Sequence, residues 1–157
     1  MAEHNLFISP PIQGWILILG HGLPDPAEDV DECFKLVLKL SRAVGQVQFF
    51  SAHRAVNHHA WVKADEGRVQ RGYAWAGETL WNQGKPTQAE IDLDLRCLAY
   101  GESPEPVGLN SFEAHYSNTD KVSFLAARWS LDPTTIDETM LPFSLGIAGD
   151  LIHSRQH

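Results

Sequence analysis

The sequence predicts an α+β fold: a single domain in which an antiparallel sheet of about five strands packs against a long amphipathic helix, with further short helices. Two patterns lead to this prediction. Residues 60–81 have the pattern of a β-hairpin, and residues 27–44 repeat apolar side chains at helical spacing. A chain of 157 residues, 43% of them hydrophobic, is long enough for one domain with its own core. We therefore expect residues 1–157 to fold as one domain.

The first third of the chain holds two predicted strands and the predicted long helix. Asn5–Ile8 is a short strand candidate, and the unbroken apolar run Trp15–Leu19 predicts a buried central strand. The helical pattern from Ala27 to Val44 begins with acidic residues and ends with basic ones, the order that the helix dipole favours. Gly45 follows in the position of a helix C-cap.

The hairpin of residues 60–81 is the clearest local pattern, and it contains three of the five tryptophans. Its residues 64–67 predict a type I turn with a left-handed bulge at Gly67, which would pair Ala64 with Arg68. One face then carries Ala60, Val62, Ala64, Arg68, Gln70, Gly72, Ala74 and Ala76. The other face carries His59, Trp61, Lys63, Val69, Arg71, Tyr73 and Trp75. The runs Val47–Ala52 and Glu78–Asn82 predict flanking strands.

The aromatic face of this hairpin allows two interpretations. In the first, Trp61, Val69, Tyr73 and Trp75 form the core, while Lys63 and Arg71 extend from its edges toward solvent. In the second, the long helix packs on the small residues of the opposite face, and the aromatic face binds a partner, because Trp, Tyr and Arg are enriched in interface hot spots. The average burial of large aromatic residues favours the first interpretation.

The second half of the chain predicts shorter elements. Thr87 and Glu90 have capping-box spacing and predict a helix with Ile91, Leu95 and Leu98 as its apolar stripe. The composition of residues 101–111 predicts a mobile loop. The remaining predictions are a helix starting at Asn118 or Thr119, a short helix starting at Asp132 and Pro133, and an irregular apolar segment at Leu141–Leu151.

Charge and cysteine usage narrow the class of partner. The formal net charge of −8 disfavours nucleic acid as a partner, because phosphate binding requires a basic surface. No stretch has the length of a membrane span or the pattern of a secretory signal, so we expect a cytoplasmic protein that does not bind membranes. Cys33 and Cys97 lack CxxC spacing and are expected to be buried free thiols. No cofactor-binding motif is recognised, and no cofactor is expected.

His53, His58 and His59 form the one group of residues with the composition of a site. With Glu78 they would define a small enzyme or a metal- or ligand-binding domain, which is the alternative functional class. However, adjacent His58 and His59 point to opposite faces of a strand, so we expect no metal site.

Three segments, SPPIQGWILILG, HHAWVKADEGRVQRGYAWAGETLWNQG and WSLDPTTID, resemble a group of small uncharacterised bacterial proteins with a similar hairpin and a Trp-Ser-x-Asp-Pro stretch. The resemblance covers most of the chain. It implies a bacterial single-domain protein, and it transfers no functional residues because no activity is securely attached to that group.

These observations lead to a functional hypothesis. We expect a non-catalytic protein that binds another protein through complementary charge, most simply an intracellular inhibitor or immunity-type protein that neutralises a toxin with a basic surface. The candidate partner-binding residues are Trp61, Arg71, Tyr73 and Trp75 on the hairpin, and Glu28, Asp29, Glu32, Glu90 and Asp94 on the acidic helices.

Overall fold

A computed structural model describes residues 5–103, 109–136 and 146–150. Helices and antiparallel strands occur together, which confirms the α+β class. The prediction of a single sheet of about five strands is wrong, because the strands in the described residues form two separate sheets of four and three strands. The extra sheet arises from residues near the two ends of the chain, whose pairing leaves no local pattern in the sequence.

The larger sheet is a meander of four sequential antiparallel strands: β3 (Gln46–His53), β4 (His58–Asp65), β5 (Arg68–Ala76) and β6 (Thr79–Gln83). Its central hairpin confirms the prediction, but the turn is shorter than expected. Asp65 pairs with Arg68 and Ala64 with Val69, so the loop contains only Glu66 and Gly67, both at positive φ. This is a type I′ hairpin turn, whose twist matches that of the strands.

The register shifts between Lys63 and Ala64, which places the bulge within the strands and not at the turn. Val69 therefore lies on the face of Ala64 and packs with the core cluster there. The prediction that grouped Val69 with Trp61 is wrong, because one inserted residue reverses the side to which the following side chains point.

The smaller sheet has the order β2 (Ile18–Leu19), β1 (Leu6–Ile8), β7 (Ile147–Gly149). Its strand β1 confirms the first predicted strand, whereas the run Trp15–Leu19 does not form a buried central strand. Trp15 instead pairs with Ile12 across a tight turn, and Ile16 is exposed. The predicted irregular segment Leu141–Leu151 contains β7, while its residues 141–145 and 151 lie outside the described residues.

One face of the larger sheet is covered by helix α1 (Val30–Val44). Asp29 is its N-cap and accepts a hydrogen bond from the amide of Glu32, so the helix begins three residues after the predicted start. Gly45 ends it at φ +89°. The small residues of the hairpin permit this packing: a Cβ at Gly72 would stand 2.9 Å from the Trp81 ring, which packs against the Phe34 ring at a tilt of 33°.

The opposite face is covered by two helices, α2 (Gln88–Asp92) and α3 (Leu109–Trp129). The capping box of Thr87 and Glu90 confirms the predicted start of α2. The predicted stripe is wrong, since the left-handed Asp94 ends the helix early and Ile91 is exposed. Leu95 and Leu98 still reach the core, from the segment that follows.

Helix α3 begins at Leu109, well before the predicted start at Asn118 or Thr119. Part of the expected loop at residues 101–111 is therefore helical, and its residues 104–108 lie outside the described residues. The short helix at Pro133–Thr135 is confirmed, with Asp132 as its cap. In the described parts of the chain, no helix has the length and apolar character needed to cross a bilayer.

Candidate functional site

The aromatic face of the hairpin is core. Trp61, Tyr73 and Trp75 are buried between the sheet and the α2–α3 layer, where they pack with Val122 and Leu125. This confirms the core interpretation for these three aromatic side chains, but not for Val69, which packs on the other face. Lys63 lies in the same layer, where it is half-buried and its ammonium is 5.6 Å from the centre of the Trp129 ring. With α1 on the other side, helices cover both faces of the hairpin.

Arg71 differs from its prediction, because its guanidinium is buried and not extended toward solvent. Its Nε donates to Oε1 of Glu90 at 2.8 Å, and both side chains are only 1% exposed. The indole Nε1 of Trp61 donates to the same oxygen at 2.8 Å. The second Glu90 oxygen accepts the backbone amide of Thr87, completing the capping box. Glu90 is thus a capping residue and the counter-ion of a buried arginine at once.

Both terminal nitrogens of the Arg71 guanidinium also donate hydrogen bonds. Its Nη1 donates to Oδ1 of Asn82 at 2.8 Å and to the carbonyls of Gln83 and Gly84 at 3.0 and 3.1 Å. Its Nη2 donates to Sγ of Cys97 at 3.1 Å. One side chain thereby joins β5, the end of β6, α2 and the segment after α2. Such a side chain holds the fold together, and its burial removes it from any partner surface.

The thiol of Cys97 and the phenol of Tyr73, which adjoin this ion pair, both have a raised pKa and stay in their neutral forms. Burial raises the pKa of the Cys97 thiol to about 12, although the nearby Arg71 opposes this shift. Burial likewise raises the pKa of Tyr73, whose hydroxyl accepts the amide of Leu98 at 3.2 Å. Burial is also the main cause that raises the pKa of Cys33, on the buried side of α1, to about 12. Both cysteines are free thiols, as expected.

The three histidines do not converge. His53 and His58 lie opposite each other in the β3–β4 register, whereas His59 lies on the other face and is buried. Glu78 is exposed in the β5–β6 turn. No group of metal-ligating side chains suited to a metal ion occurs among the described residues.

His59 belongs to a second buried polar cluster that sequence reasoning missed. Its Nδ1 lies 2.9 Å from Oγ1 of Thr119, whose hydroxyl donates to Asn57, and its Nε2 lies 3.4 Å from the amide of Asn118. Oδ1 of Asn118 also accepts the backbone amide of Arg96, and Nδ2 of Asn118 donates to the Arg96 carbonyl. The sequence signal was present in Asn118 and Thr119, but helix-cap chemistry explained these residues equally well.

The acidic candidate residues differ in their exposure to solvent. Glu28, Asp29 and Glu32 are exposed at the start of α1, together with Asp25 and Asp31. Asp94 is exposed after α2, whereas Glu90, within α2, is buried. The exposed candidates therefore reduce to the beginning of α1 and to Asp94, while Trp61, Arg71, Tyr73, Trp75 and Glu90 are interior.

Comparison of the chain with protein-family models, with curated proteins and with solved structures found no match. The fold, its buried clusters and its exposed charges are therefore the basis for the functional argument.

Proposed function

We propose that this protein acts by binding another protein, and that its partner presents a basic surface to the start of α1. The observation that supports the proposal is a row of five exposed carboxylates within residues 25–32, on a chain of net charge −8: Asp25, Glu28, Asp29, Asp31 and Glu32. An acidic surface of this kind accelerates association with a basic partner. The class that we favour is an intracellular inhibitor or immunity-type protein that neutralises a bacterial toxin.

The start of α1 suits this role because it is anchored on its inner side. Val30 and Phe34 pack against the core cluster under the helix, and Val37 is buried within it. The five carboxylates therefore lie at and just before the start of a fixed helix, so their backbone needs little ordering when a partner arrives. Glu28 precedes the N-cap Asp29, and Glu32 lies in the first turn of α1.

The experiment is an affinity purification from the native bacterial host with the full chain as bait. The expected result is a stoichiometric basic protein, most simply one encoded beside this chain. The double variant Glu28→Lys/Glu32→Lys should weaken the complex at least about tenfold, and added salt should slow association with the wild type. Asp29 is left intact because it caps the helix.

The matched control is Glu66→Lys/Glu78→Lys, which makes the same change in net charge at two exposed positions outside α1. Loss of binding in the first variant and retention in the control would support the start of α1 as the contact. Equal binding by both variants would contradict it, and repeated recovery of the chain alone would count against a protein partner.

A further inference from the structure

The two edges of the four-stranded sheet are built differently. The β6 edge is short, at five residues, and its pairing with β5 is irregular. The segment after α2 also covers it: the amide of Asn82 donates to the Tyr100 hydroxyl at 2.7 Å, and Thr79 Oγ1 donates to the carbonyl of Leu98 at 2.9 Å. These are devices by which proteins prevent an edge strand from pairing with another chain.

The β3 edge lacks the shortness and the irregular pairing of β6, although Nε2 of Gln48 donates to the carbonyl of Trp129, at the end of α3, at 3.3 Å. It is eight residues long, QVQFFSAH, and contains no proline, lysine, arginine, aspartate or glutamate. It pairs with β4 in unbroken register from Gln46 to His53. Within the described ranges, no backbone hydrogen bond reaches β3 from the side opposite β4. Such an edge is a template for the addition of another strand.

Exposed apolar side chains flank this edge at both ends. Val44, which precedes β3, is 70% exposed, and Val56, which follows it, is 49% exposed. Ala52 is exposed near the end of β3 itself. A partner strand on this edge would therefore gain hydrophobic contacts beyond its backbone hydrogen bonds.

We propose that β3 pairs antiparallel with β3 of a second copy of this chain, joining the two four-stranded sheets into one continuous sheet of a two-fold symmetric dimer. The absence of charge on β3 supports this occupant, because two copies that each carry −8 can approach along this edge without bringing like charges together.

The direction of α1 is compatible with the same arrangement. Helix α1 ends at Val44 and β3 begins at Gln46, so the helix and the strand run in opposite directions. A two-fold axis through paired β3 strands would place the two α1 helices antiparallel to each other on one face of the joined sheet.

The test is the mass of the full chain in solution, measured by sedimentation equilibrium across a wide concentration range. The expected result is a dimer of twice the 17.5 kDa chain mass. The variant Gln46→Lys/Ala52→Lys places a charge at two exposed positions of β3 and should raise the dimer dissociation constant about tenfold or more. The control Gln70→Lys/Ala99→Lys adds the same charge at exposed positions outside β3 and should dimerise like the wild type.

Several results would overturn the inference: a wild-type chain that stays monomeric, or a Gln46→Lys/Ala52→Lys variant that dimerises as tightly as the control. Amide hydrogen exchange gives an independent readout, since protection along β3 should rise with concentration. Full protection of β3 that does not depend on concentration would mean that another segment of the same chain covers this edge, and the dimer proposal would fail.

Discussion

Burial of an arginine and a glutamate stabilises a protein only when each charge finds enough partners to replace its lost water. Arg71 and Glu90 meet this condition: the guanidinium donates to a carboxylate, a side-chain amide oxygen, backbone carbonyls and a thiol, and the carboxylate accepts from an indole and a backbone amide as well. Removing either partner leaves the other charge buried without its counter-ion. The ion pair therefore links the hairpin to α2 and stabilises the packing between them.

We expect Arg71→Met and Glu90→Gln each to lower the free energy of unfolding by about 3–5 kcal/mol, because each strands a buried polar partner. The double variant should lose less free energy of unfolding than the sum of the two single variants, because it leaves neither charge buried without its counter-ion. Urea unfolding of the four proteins in this cycle measures the coupling. Additive losses would mean that the two side chains do not act as a pair.

At the scale of elements, the turns determine which side chains share a face. The two-residue turn at Glu66 and Gly67 and the register shift after Lys63 together place Val69 under α1. Gly67 has φ +78°, and a Cβ on it would stand 2.5 Å from Cγ of Arg42. The turn is thus constrained both by its own backbone and by the last turn of α1.

This constraint can be separated into its parts by two alanine substitutions. Gly77 has nearly the same φ, +77°, but a Cβ there meets nothing within 4 Å. Gly77→Ala should cost about 1–2 kcal/mol for the left-handed backbone alone, and Gly67→Ala should cost more because Arg42 must move. The measurement is chemical denaturation of both variants. If the two substitutions cost the same, the contact with Arg42 has no energetic weight, and Gly67→Ala/Arg42→Ala should then show no recovery.

At the scale of the whole molecule, one thiol lies on each face of the sheet: Cys33 is on the buried side of α1, and Cys97 is half-buried in the segment after α2. Burial raises the pKa of each from 9.0 to about 12. In the unfolded chain these thiols lose their protons at lower pH than in the folded protein. The folded state therefore binds more protons between these values, and stability must fall as pH rises.

We expect the contribution of the buried thiols to the free energy of unfolding to be fully present below about pH 9. Above that pH it should decline, by about 1.4 kcal/mol for each thiol at pH 10. Urea unfolding at neutral and alkaline pH measures this decline, and Cys33→Ala should make it shallower. Cys33→Ala leaves every tyrosine and lysine in place, so the difference between this variant and the wild type excludes their titration. An identical decline in Cys33→Ala and the wild type would contradict the assignment to Cys33.

The sequence alone determined the features that depend on neighbouring residues. These are the central hairpin, the amphipathic α1 with its Gly45 cap, the capping box of Thr87 and Glu90, and the short helix after Asp132, because turn chemistry, periodicity and capping act over a few residues. It also correctly indicated that the hairpin aromatics form core, since large aromatic side chains are costly to leave in water. The exposed acids at the start of α1 could likewise be read from the helical pattern.

Only the tertiary structure decided which strands share a sheet, which faces are covered and which charges are interior. Arg71 and Glu90 are 19 residues apart, and β1 and β7 lie at opposite ends of the chain. Glu90 could be assigned to a helix cap from the sequence, but its buried partner could not. Long-range pairing depends on how complete elements pack, and a buried charge is tolerated only when distant segments supply its partners.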